Sequence, residues 1–317
     1  MDLLGKVLNK PPRNVQPPKA MPGNAPSVAR GEVRAEHNYI VITLDSCRYD
    51  SFMAAEPKTI KKLGKVEKRY TYASWTAPSH YNLLMGLLPH GSPPHEFASE
   101  YYKQDFLNYN QRFGTEGMEF GKLVPSLWMP DFLRAELGYT THARVSLPVL
   151  NSTTNINRGF DSFQLMDDHN DMKAMLPTLE FGSDRPSFHM LNVGETHYPF
   201  VTPDQDPEDW PRISGVHGVF KRLDAQTDDA GNLIDDEDAP KFFDQDRLDE
   251  LREMQINTVK YLDQEVFPAL FDIVPENTWI TVTADHGELF GENGYFGHGP
   301  IMHEKVFEVP FMEGKIR

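Results

Sequence analysis

The 317-residue chain carries 31 Lys and Arg against 47 Asp and Glu, a formal charge of −16, with 39% hydrophobic and 25% charged residues. This is an ordinary globular composition, long enough for one large α/β domain or two smaller ones, and its negative sign argues against nucleic acid or an anionic membrane surface as the main partner. A single cysteine excludes an internal disulfide framework, and no stretch approaches the ~20 apolar residues of a membrane span or the apolar run of a secretory signal, so the expected setting is cytoplasmic.

Residues 1–36 hold Pro11, Pro12, Pro17, Pro18, Pro22 and Pro26 with few large apolar residues, and read as an extended, solvated arm ahead of a domain over 37–317. Asn38 to Leu44 is a strand-forming run that ends in Asp45, followed by Ser46, Cys47 and Arg48. A helix is expected over about 50–64 and a strand over 69–74. Then comes Ser74-Trp75-Thr76-Ala77-Pro78-Ser79-His80, where Pro78 suits the first turn of a helix running through Tyr81, Leu83, Leu84, Met85 and Leu87. Thr76 therefore lies near a helix N-terminus, where backbone N–H groups favour an anion; capping the helix is the commoner use of such a threonine.

Leu88 to Pro94 reads as a loop, Met129 to Leu137 as a helix stopped by Gly138, and Tyr139 to Val145 as a strand. Helix then strand recurs at 171–181 and Ser187–Val193, and this alternation predicts an α/β fold with a mostly parallel central sheet flanked by helices on both faces. The region 204–245 is rich in Asp and Pro; its acids do not follow the alternate-position pattern of a calcium loop, so it reads as an acidic insert or lid. Asp246 to about Asp272 has helical periodicity. Thr278 to Ala284 is a buried strand that delivers Asp285 and His286, and a turn permitted by Gly287 would let both side chains converge on one ion.

Together, Asp45, Thr76, Asp285 and His286 offer two carboxylates, a hydroxyl and an imidazole. This set suits one divalent ion, manganese or zinc first and magnesium or calcium next. Such an ion makes a threonine hydroxyl easier to deprotonate and offsets charge on an anionic tetrahedral substrate.

The ordered motifs "LDSCRYD", "SWTAPSH", "GYTTH", "GFDSF", "ETHYPF", "TADHGELFGENGYFGHG" and "EVPF", over about 38–311, resemble the sulfatase-like branch of the alkaline phosphatase superfamily. The resemblance implies that Asp45, Asp285 and His286 are metal ligands. It makes Thr76 both a ligand and the nucleophile, at the position where true sulfatases hold a modified cysteine. It sets His197 and His298 near the departing or attacking group, and Arg48 and His80 against the anion, a salt-bridge or helix-surface role being the equal alternative for these two. Cys47 lacks the Cys-x-Pro/Ala-x-Arg context of that modification, whereas Thr76-Ala77-Pro78-Ser79-His80 aligns with it, Thr for Cys and His for Arg. A threonine is similar to the phosphoester branches, such as lipoteichoic acid synthase and the phosphoethanolamine transferases, which are membrane-anchored.

The expectation is thus a metal-dependent hydrolase or transferase of small anionic phosphoesters or sulfate esters, with a covalent Thr76 intermediate. A sulfatase and a catalytically silent binding or scaffold protein of the same fold are the alternatives. The resemblance also implies a shortened C-terminal region, and leaves open a homo-oligomer or a partner chain that completes the site.

Overall fold

The computed structural model describes residues 29–92, 98–210, 226–227, 233–234 and 245–316. Its strands in chain order are β1 (Asn38–Leu44), β2 (Glu67–Tyr70), β3 (Thr140–Val145), β4 (Ser162–Leu165), β5 (Ser187–Val193), β6 (Gln226–Thr227), β7 (Leu233–Ile234), β8 (Thr278–Ala284), β9 (Leu289–Phe290), β10 (Phe296–Gly297) and β11 (Glu308–Gly314). Seven of them make one sheet in the order β2-β11-β8-β1-β5-β3-β4, in which only β11 runs against its neighbours.

Every residue of β1, β5 and β8 is buried, as expected of central strands covered on both faces. Alternate residues feed two separate cores. Ile40, Ile42, Leu44, Leu191, Val193, Ile280 and Val282 pack with Phe52, Val259, Phe267 and Leu270 on one face. Tyr39, Val41, Phe188, Met190 and Trp279 pack with Phe106, Phe113, Phe132 and Leu133 on the other. The mostly parallel sheet with helices on both faces is therefore the observed fold, and its carboxyl edge is where the connecting loops gather.

Several local elements differ from expectation, each for an identifiable reason. The helix expected over 50–64 is split into an α-helix Tyr49–Ala54 and a 3-10 turn Ile60–Leu63, because Glu56 sits at φ 50 and precedes Pro57. The strand expected over 69–74 is Glu67–Tyr70, and the helix after Trp75 spans Thr76–Leu84, so Leu87 lies beyond it. The segment 171–181 is a 3-10 helix, Met172–Thr178, with Pro177 inside it. The long helix is α-helical over Gln245–Tyr261 and Phe267–Ile273, with a π-helical turn Leu262–Val266 between. Pro268 has no N–H to give the carbonyl four residues earlier, which favours this widened turn. Asp263 in the turn accepts the N–H groups of Lys58, Thr59 and Ile60 and ties the helix to the loop after Ala54.

Most of the proline-rich arm and of the acidic 204–245 region lies outside the described residues. The last part of the arm is packed: the Gly31 and Arg34 amides donate to Arg134 and Leu137, and Ala35 is buried. Among the described residues no helix is long and apolar enough to cross a membrane.

Candidate active site and metal centre

β1 and β8 are adjacent and parallel with Leu44 opposite Ala284, so Asp45 and Asp285 leave the sheet side by side at its carboxyl edge, where open α/β sheets bind ligands. Both are buried. The chain turns at once after β1, with Ser46 in a left-handed conformation, φ 59, that is uncommon for a residue carrying a Cβ. This aims the Ser46 N–H at Asp285 Oδ1, 3.0 Å away. Gly287 serves in a way the sequence does not reveal. Its φ is not left-handed; a Cβ there would collide with the carbonyl oxygen of Lys305.

Thr76 is the first residue of its helix, with Trp75 at the N-cap, so its hydroxyl is free of capping duty. Thr76 Oγ1 lies 3.3 Å from His286 Nε2 and 3.5 Å from Asp45 Oδ1. Asp285 Oδ2 is 3.4 Å from the same His286 nitrogen and, though buried, has no hydrogen-bond partner. One donor atom each from Asp45, Asp285 and His286 lies within 4.8 Å of the others. Donors ~2.0–2.2 Å from a shared tetrahedral ion stand about 3.3–3.6 Å apart, the spacing of these three contacts. The two carboxylates and the imidazole thus suit one divalent cation, with the Thr76 hydroxyl beside them.

Atoms facing away from this point are fixed by the surrounding backbone, the outer-shell support that orients ligands. Asp45 Oδ2 accepts from Asn192 Nδ2 at 2.8 Å, and Asp285 Oδ1 also accepts the His286 N–H at 2.9 Å. Thr196 Oγ1 donates to the Asp45 carbonyl and Thr71 Oγ1 to that of Asp285, while Gln255 Nε2 donates to the carbonyls of Ser46 and Thr196. His286 Nδ1 is 2.9 Å from the Gly287 carbonyl, which can only accept, so Nδ1 carries the proton and Nε2 presents a lone pair to the cluster.

The electrostatics agree with that tautomer. Burial holds the His286 pKa well below the imidazole range, and the neighbouring His298 adds to this, so the ring is neutral. Burial lifts the Asp285 carboxyl well above the usual carboxylate range, and the adjacent Asp45 charge lifts it further. Burial opposes charge on Asp45, but the surrounding histidines, His197 first, and the hydrogen bond from Asn192 hold its carboxyl below the usual range.

His298 and His197 flank the cluster, with ring centres 5.6 Å apart and that of His298 4.2 Å from His286. Burial opposes charge on His298, but the Glu288 carboxylate accepting its Nδ1–H at 3.1 Å outweighs this and raises its pKa above the ordinary value. Thr76, His197 and His298 together line a cavity of about 660 Å³.

Arg48 and His80 are not placed as anion contacts. Arg48 is buried with its three guanidinium nitrogens bound to Asp50 and Glu292. His80 has no exposed surface; its Nδ1–H donates to the Thr76 carbonyl at 2.8 Å, and burial lowers its pKa. Sequence reasoning missed Asn192 and Glu288. The signals were a polar residue near the end of an apolar strand and an acid directly after the Asp-His-Gly turn.

Residues 37–312 match the sulfatase family model, and the chain belongs to the sulfatase family. Among curated proteins none matches the chain. Solved structures of similar fold include a 2-O GAG sulfatase, at 13% identity and TM-score 0.50 over 88% of this chain and 64% of that one. The soluble domain of lipooligosaccharide phosphoethanolamine transferase A from Neisseria meningitidis has 11% identity and TM-score 0.49 over 92% and 80% of the two chains. Phosphonate monoester hydrolase of Agrobacterium radiobacter has 14% identity and TM-score 0.49 over 88% and 68%. The likeness to these structures is one of fold.

Proposed function

We propose that this member of the sulfatase family is a metal-dependent hydrolase or transferase of phosphoesters that works through a covalent Thr76 intermediate. The observation that carries the reading is the convergence of Thr76 Oγ1 on Asp45 and on the neutral His286 nitrogen, beside an unpartnered, buried Asp285 oxygen. Asp45, Thr76, Asp285 and His286 would hold the ion. When bound, it lowers the pKa of the Thr76 hydroxyl and offsets charge on the ester oxygens.

Thr76 Oγ1, having lost its proton to solvent, forms a bond to phosphorus as the bond to the leaving oxygen breaks. His298, kept protonated by Glu288, gives its proton to that oxygen, so an alcohol or phenol departs. In the second half the neutral His298 takes a proton from water or an acceptor hydroxyl, whose oxygen bonds to phosphorus as the bond to Oγ1 breaks. Thr76 is thereby restored, and His197, which lines the same cavity, is assigned the stabilisation of the phosphoryl oxygens. A threonine cannot become the aldehyde hydrate formed from the modified cysteine of sulfatases, which favours phosphoester over sulfate.

The test is intact-mass spectrometry of protein quenched during turnover of a 4-nitrophenyl phosphomonoester, phosphodiester and sulfate. A phosphoryl adduct on Thr76, absent in Thr76→Ala along with about 10³-fold or more of the rate, is the expected result. Full turnover by Thr76→Ala would sink the mechanism, and faster reaction of the sulfate would favour a sulfatase.

A further inference from the structure

We infer that the ester taken by this site carries an apolar alkyl or aryl group, seated against Trp75, Tyr81, Leu147, Pro148 and Val149. The inference rests on the reading of Thr76 above for where the reacting end lies, and on the cavity wall for what the rest of the substrate is. The cavity of about 660 Å³ that Thr76, His197 and His298 line is otherwise walled by these apolar and aromatic side chains with Ala77 and Pro78. No Lys, Arg, Asp or Glu is among its described lining residues.

Trp75 and Val149 are 43% and 49% exposed, so the wall leaves large apolar area in water immediately beside the proposed nucleophile. Apolar area of this kind, continuous with a few convergent polar groups, marks the seat of a ligand. Apart from His298 at the reacting end, a polyanionic or sugar-acid substituent would find no counter-charge among the described lining residues and would meet the field of a chain with a net charge of −16. An aliphatic or aromatic group would instead release water from both surfaces.

The wall is also held in place. The Tyr81 ring leans on Trp128 with centres 6.1 Å apart. The Ser146 and Leu147 amides both donate to Asn192 Oδ1, at 3.2 and 3.1 Å, while the other end of the same amide binds Asp45. Asn192 therefore sets the apolar wall and the carboxylate at a fixed spacing, making it a positioning residue for both.

Isothermal titration of methyl-, butyl- and hexylphosphonate in buffer containing manganese tests this on wild type, Thr76→Ala and Val149→Asp. Each methylene withdrawn from water raises affinity by at most about fourfold. The expected result is at least a tenfold gain from methyl to hexyl, retained in Thr76→Ala and reduced toward parity in Val149→Asp, whose exposed position spares the fold. A wild-type ratio near one, a Val149→Asp ratio equal to wild type, or no binding by any of the three would overturn the inference. Chain-length preference without a Thr76 adduct would refute the covalent mechanism while upholding the apolar seat.

Discussion

Arg112 stands fully buried beside β11, its Nε 2.9 Å from Glu313 and an Nη 3.3 Å from Asp105, with the Tyr109 ring 4.5 Å away. At the carboxyl edge of the same sheet Asp45 and Asp285 are equally buried, yet among the described residues only histidines lie at ion-pair distance from Asp285 and no Lys or Arg reaches either. One pair of acids is neutralised by a covalently attached cation. The other pair faces Thr76 and His286 instead, and burial together with the Asp45 charge pushes the Asp285 carboxyl well above the usual range. A fifth acid shows what happens without either solution. Glu195 has no exposed surface, accepts the Met172 amide with one oxygen and nothing with the other, and its pKa is lifted by burial from 4.5 to about 7. It keeps a proton.

The largest expected effect is on the pair that already has its cation. Arg112→Met leaves Asp105 and Glu313 without it and should cost about 3–5 kcal/mol by urea unfolding. A loss below about 1 kcal/mol would mean that the two acids do not depend on the guanidinium.

Glu195 sharpens the contrast through pH. Between 4.5 and about 7 the unfolded chain has given up this proton while the folded protein retains it. Its contribution is thus fully present below 4.5 and is lost as pH rises through about 7, up to roughly 3 kcal/mol. Glu195→Gln should flatten the fall in urea midpoint across that window. An unchanged slope would assign it to other groups.

The smallest effect is predicted for Asp285→Asn in chelator, within about 1 kcal/mol of wild type, since it removes a carboxylate that already resists ionisation. The same variant should lose the stabilisation that manganese gives wild type, about 2.7 kcal/mol at a hundred times Kd, read as a thermal shift.

Much of this site can be read from the sequence because its ligands are strand-end residues. Apolar runs ending in Asp45 and in Asp285-His286 give both the central strands and the donors, and Trp75-Thr76 before Pro78 gives the helix start. What could not be read depends on contacts between distant segments. Asn192 reaches Asp45 across 147 residues of sequence, and Gly287 is required by the Lys305 carbonyl rather than by its own φ. The sequence leaves anion contact and salt bridge equal for Arg48, and the partner that engages it, Glu292, lies 244 residues later. Leu262, Val266 and Leu270 follow one another at four-residue intervals, so the π-helical turn at Leu262–Val266 leaves no mark in a hydrophobic pattern.

The most direct measurement is the metal content of purified wild type and Asp285→Asn after equilibration with manganese or zinc and removal of the excess. The account predicts close to one tightly held equivalent in wild type and essentially none in the variant. A metal-free wild type that still forms the Thr76 adduct, or a variant that retains its metal, would contradict it.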